Sequence, residues 1–544
     1  MSVATQAPAP PRTDQPRSGS GLAAMLRIRL RSDRVRITVW TLSTIVLFWS
    51  VVASIKSLYP TPKLQAGYAQ ALEGNQAFVA INGIPYGADT LGGIVADEFA
   101  FIAPVLLPVL VTSLIARATR GAEESGLVEL VRSRGVSRTA PLAAASIVVA
   151  GVLVVIGVAA GAILAAYGVP TGPSFLYGAS LTGLGLVWLG ISGLAAQLVR
   201  HTRGVWTLSL GLLLAAYLVR AYGDVEDIWV KWASPLVWFQ ETRAFADDAR
   251  WWPLVIPLVA VAVLVGVAVT VLSRRDLGSG VLASRPGPES AAAALTSPWG
   301  LAARTSLSLV ASWSAVSVLI GLVFAGLTKE AASALDSNAQ VAEVLGGGGG
   351  VSPEDGYLSF TLVIVALVAG AAVVQGVARV AEQETDGIAE VVLARPVGRF
   401  SWALAWVTAS LVTGAATLVV GAFATGAGAA LSLDDGERVG SLTAAGAGYV
   451  PALVLLAGLC LAVLGLVPRL QSVCWVVVAW AAVVATLGDT LELADWLRTL
   501  SPYDALGMLP VDDVDTTAVV VLLALGVALG LLGLAGLRRR DLRV

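Results

Sequence analysis

The sequence predicts an all-α polytopic membrane protein of twelve spanning helices, arranged as two parallel six-helix repeats. Three observations carry this. Only 13% of the 544 residues are charged and 56% are hydrophobic, with a mean hydropathy of +0.80. A soluble domain carries about 25% charged residues, so the solvent of this chain is mostly lipid. Twelve apolar runs approach the roughly 20 residues that a spanning helix requires. Finally, short landmarks recur in the same order, about 260 residues apart.

Residues 1–20 are rich in Pro, Ser and Thr and hold no apolar run, so a disordered tail is expected. From Gly21 to Arg36, five arginines alternate with Leu and Ile, the pattern of an amphipathic helix lying on the inner surface. A cleaved signal peptide is the competing reading of a basic stretch before an apolar one. It lacks a good small-residue cleavage site here, and the repeat needs this helix.

The predicted spans of the first half are 37–55, 98–116, 140–166, 174–198, 204–219 and 252–272. Those of the second half are 305–327, 357–378, 400–430, 440–466, 470–487 and 516–537. Pro104 and Pro108 are expected to bend the second span. The halves are bounded as 21–285 and 286–544. With the N-terminus inside, 26 of the 35 Lys and Arg but only 12 of the 37 Asp and Glu face the cytosol. That is the positive-inside pattern, and it puts both termini in the cytosol.

Four outer loops follow: 56–97 and 328–356 after the first span of each half, 220–251 and 488–515 before the last. Gly346 to Gly350 read as a flexible tether. The latter two loops contain Ser234-Pro235 and Ser501-Pro502 and suit short re-entrant or surface helices as well as open coil.

The repeat rests on four landmarks. Glu-x-x-Gly-(Leu/Ile)-x-Glu-(Leu/Val)-Val-x-x-Arg-x-Val-x-Arg occurs at Glu123–Arg138 and Glu384–Arg399, an offset of 261. Gly223-Asp224 matches Gly488-Asp489, Ser234-Pro235 matches Ser501-Pro502, and Arg274-Arg275-Asp276-Leu277 matches Arg539-Arg540-Asp541-Leu542, at offsets of 265 to 267. Six spans per half, an even number, give both halves the same orientation. Two such bundles facing each other would frame a central cavity.

Ion coupling normally places a charged side chain within the membrane. The predicted spans contain none, and Asp97, Glu98, Glu437 and Arg438 fall at their rims. The single histidine, His201, sits in a short cytosolic turn and reads as a solvated loop residue. No P-loop surrounds any of the four lysines, Lys56, Lys63, Lys231 and Lys329, and no cytosolic segment is long enough for a nucleotide-binding domain. The chain is therefore not expected to be an enzyme. No residue is assigned a catalytic or metal-ligating role, and the driving force must come from a partner. The two signature loops hold seven of the twelve cytosolic acids: Glu123, Glu124, Glu129, Glu382, Glu384, Asp386 and Glu390. They point to docking; a self-paired turn, Glu129 with Arg132 for instance, is the alternative.

These loops, followed by Pro/Gly-Val-x-Arg and joined to an Arg-Arg-Asp-Leu close of the sixth span, resemble type-2 ABC exporter permeases. The resemblance covers the whole chain as two tandem halves. It is strongest with actinobacterial exporters of polyketide antibiotics and mycobacterial multidrug efflux permeases. The 31 Arg against four Lys, with abundant Ala, Val and Gly, fit such a GC-rich source. The resemblance implies a multi-pass plasma-membrane permease subunit exporting hydrophobic drugs or antibiotics, and hence antibiotic resistance. A separate ATPase, expected as a homodimer, would bind the ATP and Mg. Glu123, Gly126, Glu129, Arg134, Glu384, Gly387, Glu390 and Arg395 would contact it. The family's route between the second and fifth spans would run past Phe99, Phe101, Trp206 and Tyr217 in one half. In the other it would pass Phe360, Trp475 and Trp480. Interfacial or lipid-facing aromatics are the competing reading of each. Gly135 stands where the second copy has Pro396, so unequal docking sites are expected. An exporter of lipid or peptide and an ion-coupled carrier of the major facilitator kind are the alternatives. The carrier lacks its Gly-x-x-x-Asp-Arg-x-Gly-Arg loop here. No nucleic-acid partner is expected.

Overall fold

Backbone groups in lipid must satisfy their hydrogen bonds within the chain, which selects helices for every apolar run. The computed structural model describes residues 21–282, 289–329, 332, 352–385, 387–487 and 494–539. The described residues form helices and turns, with no strand among them. Among the described residues, twelve helices are long and apolar enough to cross a membrane. The tail 1–20, the Gly346–Gly350 tether, Asp386, the Gly488-Asp489 pair and Arg540 to Leu542 lie outside the described residues.

The chain divides into two compact units, Met1–Pro286 and Gly287–Val544, each containing six of the twelve long helices. In the first unit the spans are Arg34–Leu58, Leu91–Glu124, Ala140–Ala166, Thr171–Leu198, Thr202–Val225 and Trp252–Arg274. The fourth is the most enclosed, packing on the third, the second and the sixth. Its contact with the third is backbone-close: a Cβ added to Gly178 would lie 2.1 Å from the Gly157 carbonyl oxygen. Only glycine permits that approach. The predicted interfacial helix is observed as Leu22–Ser32, packed on the third span. Buried Arg29 fastens it by donating to the Ala118 carbonyl at 2.5 Å.

In the second unit the spans are Pro298–Gly326, Pro353–Thr385, Arg399–Leu433, Glu437–Leu466, Pro468–Thr486 and Thr516–Arg539. The tenth is two helices rather than one, Glu437–Ala447 and Val450–Leu466. Buried Tyr449 occupies the break, and its hydroxyl donates to the Gly507 carbonyl at 2.9 Å and accepts from the Leu509 amide at 3.0 Å.

Helices reach beyond the predicted apolar runs because polar residues at their ends find partners. The second span begins at Leu91 and continues helically through Pro104 and Pro108. It thereby takes in Asp97 and Glu98, which the sequence places at a rim. The fifth extends to Val225 and takes in Arg220 and Asp224. The spans as built therefore carry charge, which corrects the expectation that they carry none. The segments predicted as outer loops contain helices too: Pro62–Leu72, Gln76–Asn82, Pro235–Gln240 and Asp495–Arg498.

Candidate coupling elbows and the second–fifth span contact

The two copies of the signature fold into the same elbow. In the first, the second span ends in a π-helical turn, Arg117–Gly121, and a short turn, Ala122–Glu124. Gly126 then reverses the chain at φ 72° and starts the helix Leu127–Arg132. In the second, Pro353–Thr385 runs straight into the bend, and Gly387, also at φ 72°, starts Ile388–Leu393. The left-handed region favours glycine, which explains Gly at both positions. Each glycine amide donates back to the preceding glutamate carbonyl, Glu123 at 3.1 Å and Glu384 at 3.3 Å.

The side chains divide the same way in both elbows. One residue per short helix points inward, Val128 or Ala389, at 8% and 1% exposure. The opposite face presents an apolar pair, Leu127 with Leu130 and Ile388 with Val391. Glu129, Arg134, Glu390 and Arg395 are exposed beside these pairs, and none forms an ion pair among the described residues. The self-paired reading, Glu129 with Arg132, is not what is observed.

Glu123 and Glu384 sit differently. The Glu123 carboxylate receives Arg120 Nη1 at 2.9 Å and Arg275 Nη1 at 3.1 Å, plus a second bond from Arg275 Nη2. Arg120 also donates to the Ala196 and Gln197 carbonyls, and Arg275 Nε donates to Gln197 Oε1 at 3.0 Å. The elbow is thus latched to the ends of the fourth and sixth spans. Glu124 adds a strap to the fifth: it accepts from the Thr202 amide at 3.0 Å, the Thr202 hydroxyl at 2.7 Å and His201 Nδ1 at 3.3 Å. A carboxylate at a helix N-terminus is favoured by the dipole. Glu384 is likewise buried. Two of the eight predicted docking residues are therefore turned inward. The signal was in the sequence: the signature and the Arg-Arg-Asp-Leu motif recur together because, in the first unit, they hold each other.

The second and fifth spans pack on each other in the first unit, as do the eighth and eleventh in the second. Phe101 and Tyr217 meet edge to face across this contact, centroids 6.5 Å apart. The Tyr217 hydroxyl donates to the Ile81 carbonyl, and Arg220 stacks on its ring at 4.6 Å. Arg220, fully buried, also donates to the Ala80 carbonyl at 3.1 Å, closing the end of the helix Gln76–Asn82. Phe99 lies elsewhere, in the core against Phe48 at 5.0 Å. Trp206 packs beside Ala116, Ala195 and Val205. It lies about 16 Å along its helix from Tyr217, at 1.5 Å per residue. Phe360 is half-buried, Trp475 is 40% exposed, and Trp480 donates to the Leu497 carbonyl at 3.2 Å. Of the seven predicted aromatics, the structure brings only Phe101 and Tyr217 into ring contact with each other.

Sequence reasoning missed Asp97 as an interior group, whereas its neighbour Glu98 is exposed on the same helix. Glu98 accepts from the Tyr68 hydroxyl at 3.0 Å, whereas Asp97 is buried with Oδ2 unpartnered. The recess beside Asp97 is lined by Tyr86, Tyr177, Gln240 and Arg243.

Fold and elbows together define a polytopic membrane permease with a duplicated loop element. The C-terminal domain model of the multidrug efflux system permease Rv1217c matches residues 295–538. The multidrug efflux system permease protein Rv1217c of Mycobacterium tuberculosis (strain ATCC 25618 / H37Rv) is 30% identical over 534 residues, covering 97% of each chain. The chain belongs to this family of multidrug efflux permeases, multi-pass proteins of the cell membrane.

Proposed function

We propose that this chain is the permease subunit of an ATP-driven ABC exporter of hydrophobic drugs or antibiotics. Its two parallel six-helix halves would have their termini in the cytosol. A separate ATPase, as a homodimer holding ATP and Mg, docks on the two elbows. The observation that carries this reading is the twin surface: an exposed apolar pair beside an unpaired glutamate and arginine, built twice with the same glycine bend. Leu127 and Leu130, or Ile388 and Val391, would fill a groove on the ATPase, with Glu129 or Glu390 meeting a basic residue. Charge of both signs around an apolar centre is the composition of a protein interface. The inward latch then transmits the push. A displacement of the first elbow pulls Glu123 and Glu124, and through them the ends of the fourth, fifth and sixth spans. Tyr217 and Phe101 lie on the spans that would part to pass substrate.

Co-purification of the permease with the ATPase tests this directly. Glu129→Arg with Glu390→Arg should abolish association and drug efflux while leaving the permease folded. Retained association and efflux would end the proposal. Asp97 favours a second reading, an ion-coupled carrier, because it is a carboxyl within a span with one unpartnered oxygen. Efflux that collapses with an uncoupler at constant ATP would support the carrier instead.

A further inference from the structure

We propose that the recess between the interfacial helix Leu22–Ser32, the first span and the third span binds one anionic phospholipid. The recess measures about 630 Å³ and is lined by Leu26 and Leu30 of the first element, Ile37 of the second, and Ile147, Gly151 and Val155 of the third. Its walls are apolar and open: Leu30, Ile147 and Val155 are each at least half exposed. In a membrane protein such a surface is covered by hydrocarbon. A Cβ added at Gly151 would meet no atom within 4 Å, so the floor of the recess is free space.

The charge beside it selects the head group. Arg27, Arg31, Arg34 and Arg36 are all exposed, and among the described residues none has a carboxylate within ion-pair reach. The one acid in the segment, Asp33, is already held by Arg29 at 3.6 Å and Arg117 at 3.3 Å. Arg27 and Arg31 stand one turn apart, next in sequence to the lining residues Leu26 and Leu30. Arg34 lies one turn before Ile37 and Thr38, on the same face of the first span. Exposed arginines thus flank the lining residues on both the interfacial helix and the first span, a placement that fits a molecule with an anionic head and an aliphatic tail. A zwitterionic head would bring a second cation among the arginines, so phosphatidylglycerol or cardiolipin is favoured over phosphatidylcholine. The site needs neither an ATPase nor a transported drug.

Native mass spectrometry of the purified full-length permease tests it, with dioleoyl phosphatidylglycerol or dioleoyl phosphatidylcholine added at equal concentration. A basic residue near a lipid surface contributes about fivefold in affinity. Wild type should therefore prefer the anionic lipid by at least about tenfold. Arg27→Gln with Arg31→Gln and Arg34→Gln should bring that preference close to one. Gly151→Phe should fill the slot and lower occupancy by both lipids. Gly211→Phe, a control at a similarly open glycine on the fifth span, should leave binding intact. Equal retention of the two lipids by wild type would overturn the proposal, as would an undiminished preference in the arginine variant. If Gly151→Phe fails to fold, the arginine variant decides alone.

Discussion

The Glu123 latch makes a ranked prediction. Glu123 and Arg275 have side-chain exposures of 10% and 4%, and Arg120 has none. Removing one partner of a buried ion pair costs about 3–5 kcal/mol, because the other charge is left uncompensated. Glu123→Ala strands two guanidinium groups and should fall in that range. Arg275→Ala leaves Glu123 with Arg120 and removes charge-assisted hydrogen bonds, for which about 2 kcal/mol is expected. The cost falls on the local opening of the elbow rather than on the whole bundle. The assay is hydrogen–deuterium exchange at the amides of Leu127–Arg132, in wild type, both single variants and the double variant. Exchange should accelerate by more than 100-fold in Glu123→Ala and by about 30-fold in Arg275→Ala, since 1.4 kcal/mol is about tenfold. The double variant should resemble Glu123→Ala, giving a coupling energy of about 2 kcal/mol. Glu129→Ala, which removes no ion pair, should exchange as wild type does. An acceleration below about fivefold in Glu123→Ala, or strict additivity in the double variant, would refute the latch.

Gly126→Ala and Gly387→Ala each place a Cβ in a left-handed backbone, at about 1–2 kcal/mol. Because each Cβ meets open space, the Asn variants should be milder, as comparison of elbow exchange rates would reveal. Asp97→Asn should raise the thermal midpoint of the purified permease, since it removes a buried carboxyl with an unpartnered oxygen; a fall of several degrees would mean that Asp97 has a stabilising counterpart. Gly178→Leu should prevent assembly of the first unit, because the obstructing atom is the Gly157 backbone carbonyl and no rotamer relieves it; normal yield and a native elution profile would contradict this.

The twelve crossings were legible because a lipid solvent leaves few options: apolar length implies a helix. Span ends were not, because hydropathy scores a charged residue as an exit. Arg220 stays inside its helix since the Ala80 and Ile81 carbonyls, about 140 positions away in sequence, receive it. The break at Tyr449 was hidden for a related reason: its partners Gly507 and Leu509 belong to a segment about 60 positions away in sequence. For the elbows, glycine at the bend and the duplicated register could be read directly. What could not be read was the division of labour between Glu123 and Glu129. They are the same residue type six positions apart, and the convergence of Arg120 and of Arg275, from the end of the sixth span, on Glu123 separates them.

That division also bears on the inequality of the elbows. The Gly135 and Pro396 difference lies beyond the short helices, but a difference with clearer consequences lies before them. Glu124 holds the N-terminus of the fifth span through Thr202. At the matching position the second copy has Thr385, whose hydroxyl donates to Ala381 within its own helix. The first elbow also follows a π-helical turn, whereas the second continues an unbroken helix. A π turn carries an extra residue per turn and is a weak point in the hydrogen-bond ladder. The first elbow is therefore strapped to the fifth span through Glu124 and joined to its own span through a π turn, and Thr385 supplies no counterpart to that strap. A push on the first elbow would reach the fourth, fifth and sixth spans together, through Glu123 and Glu124.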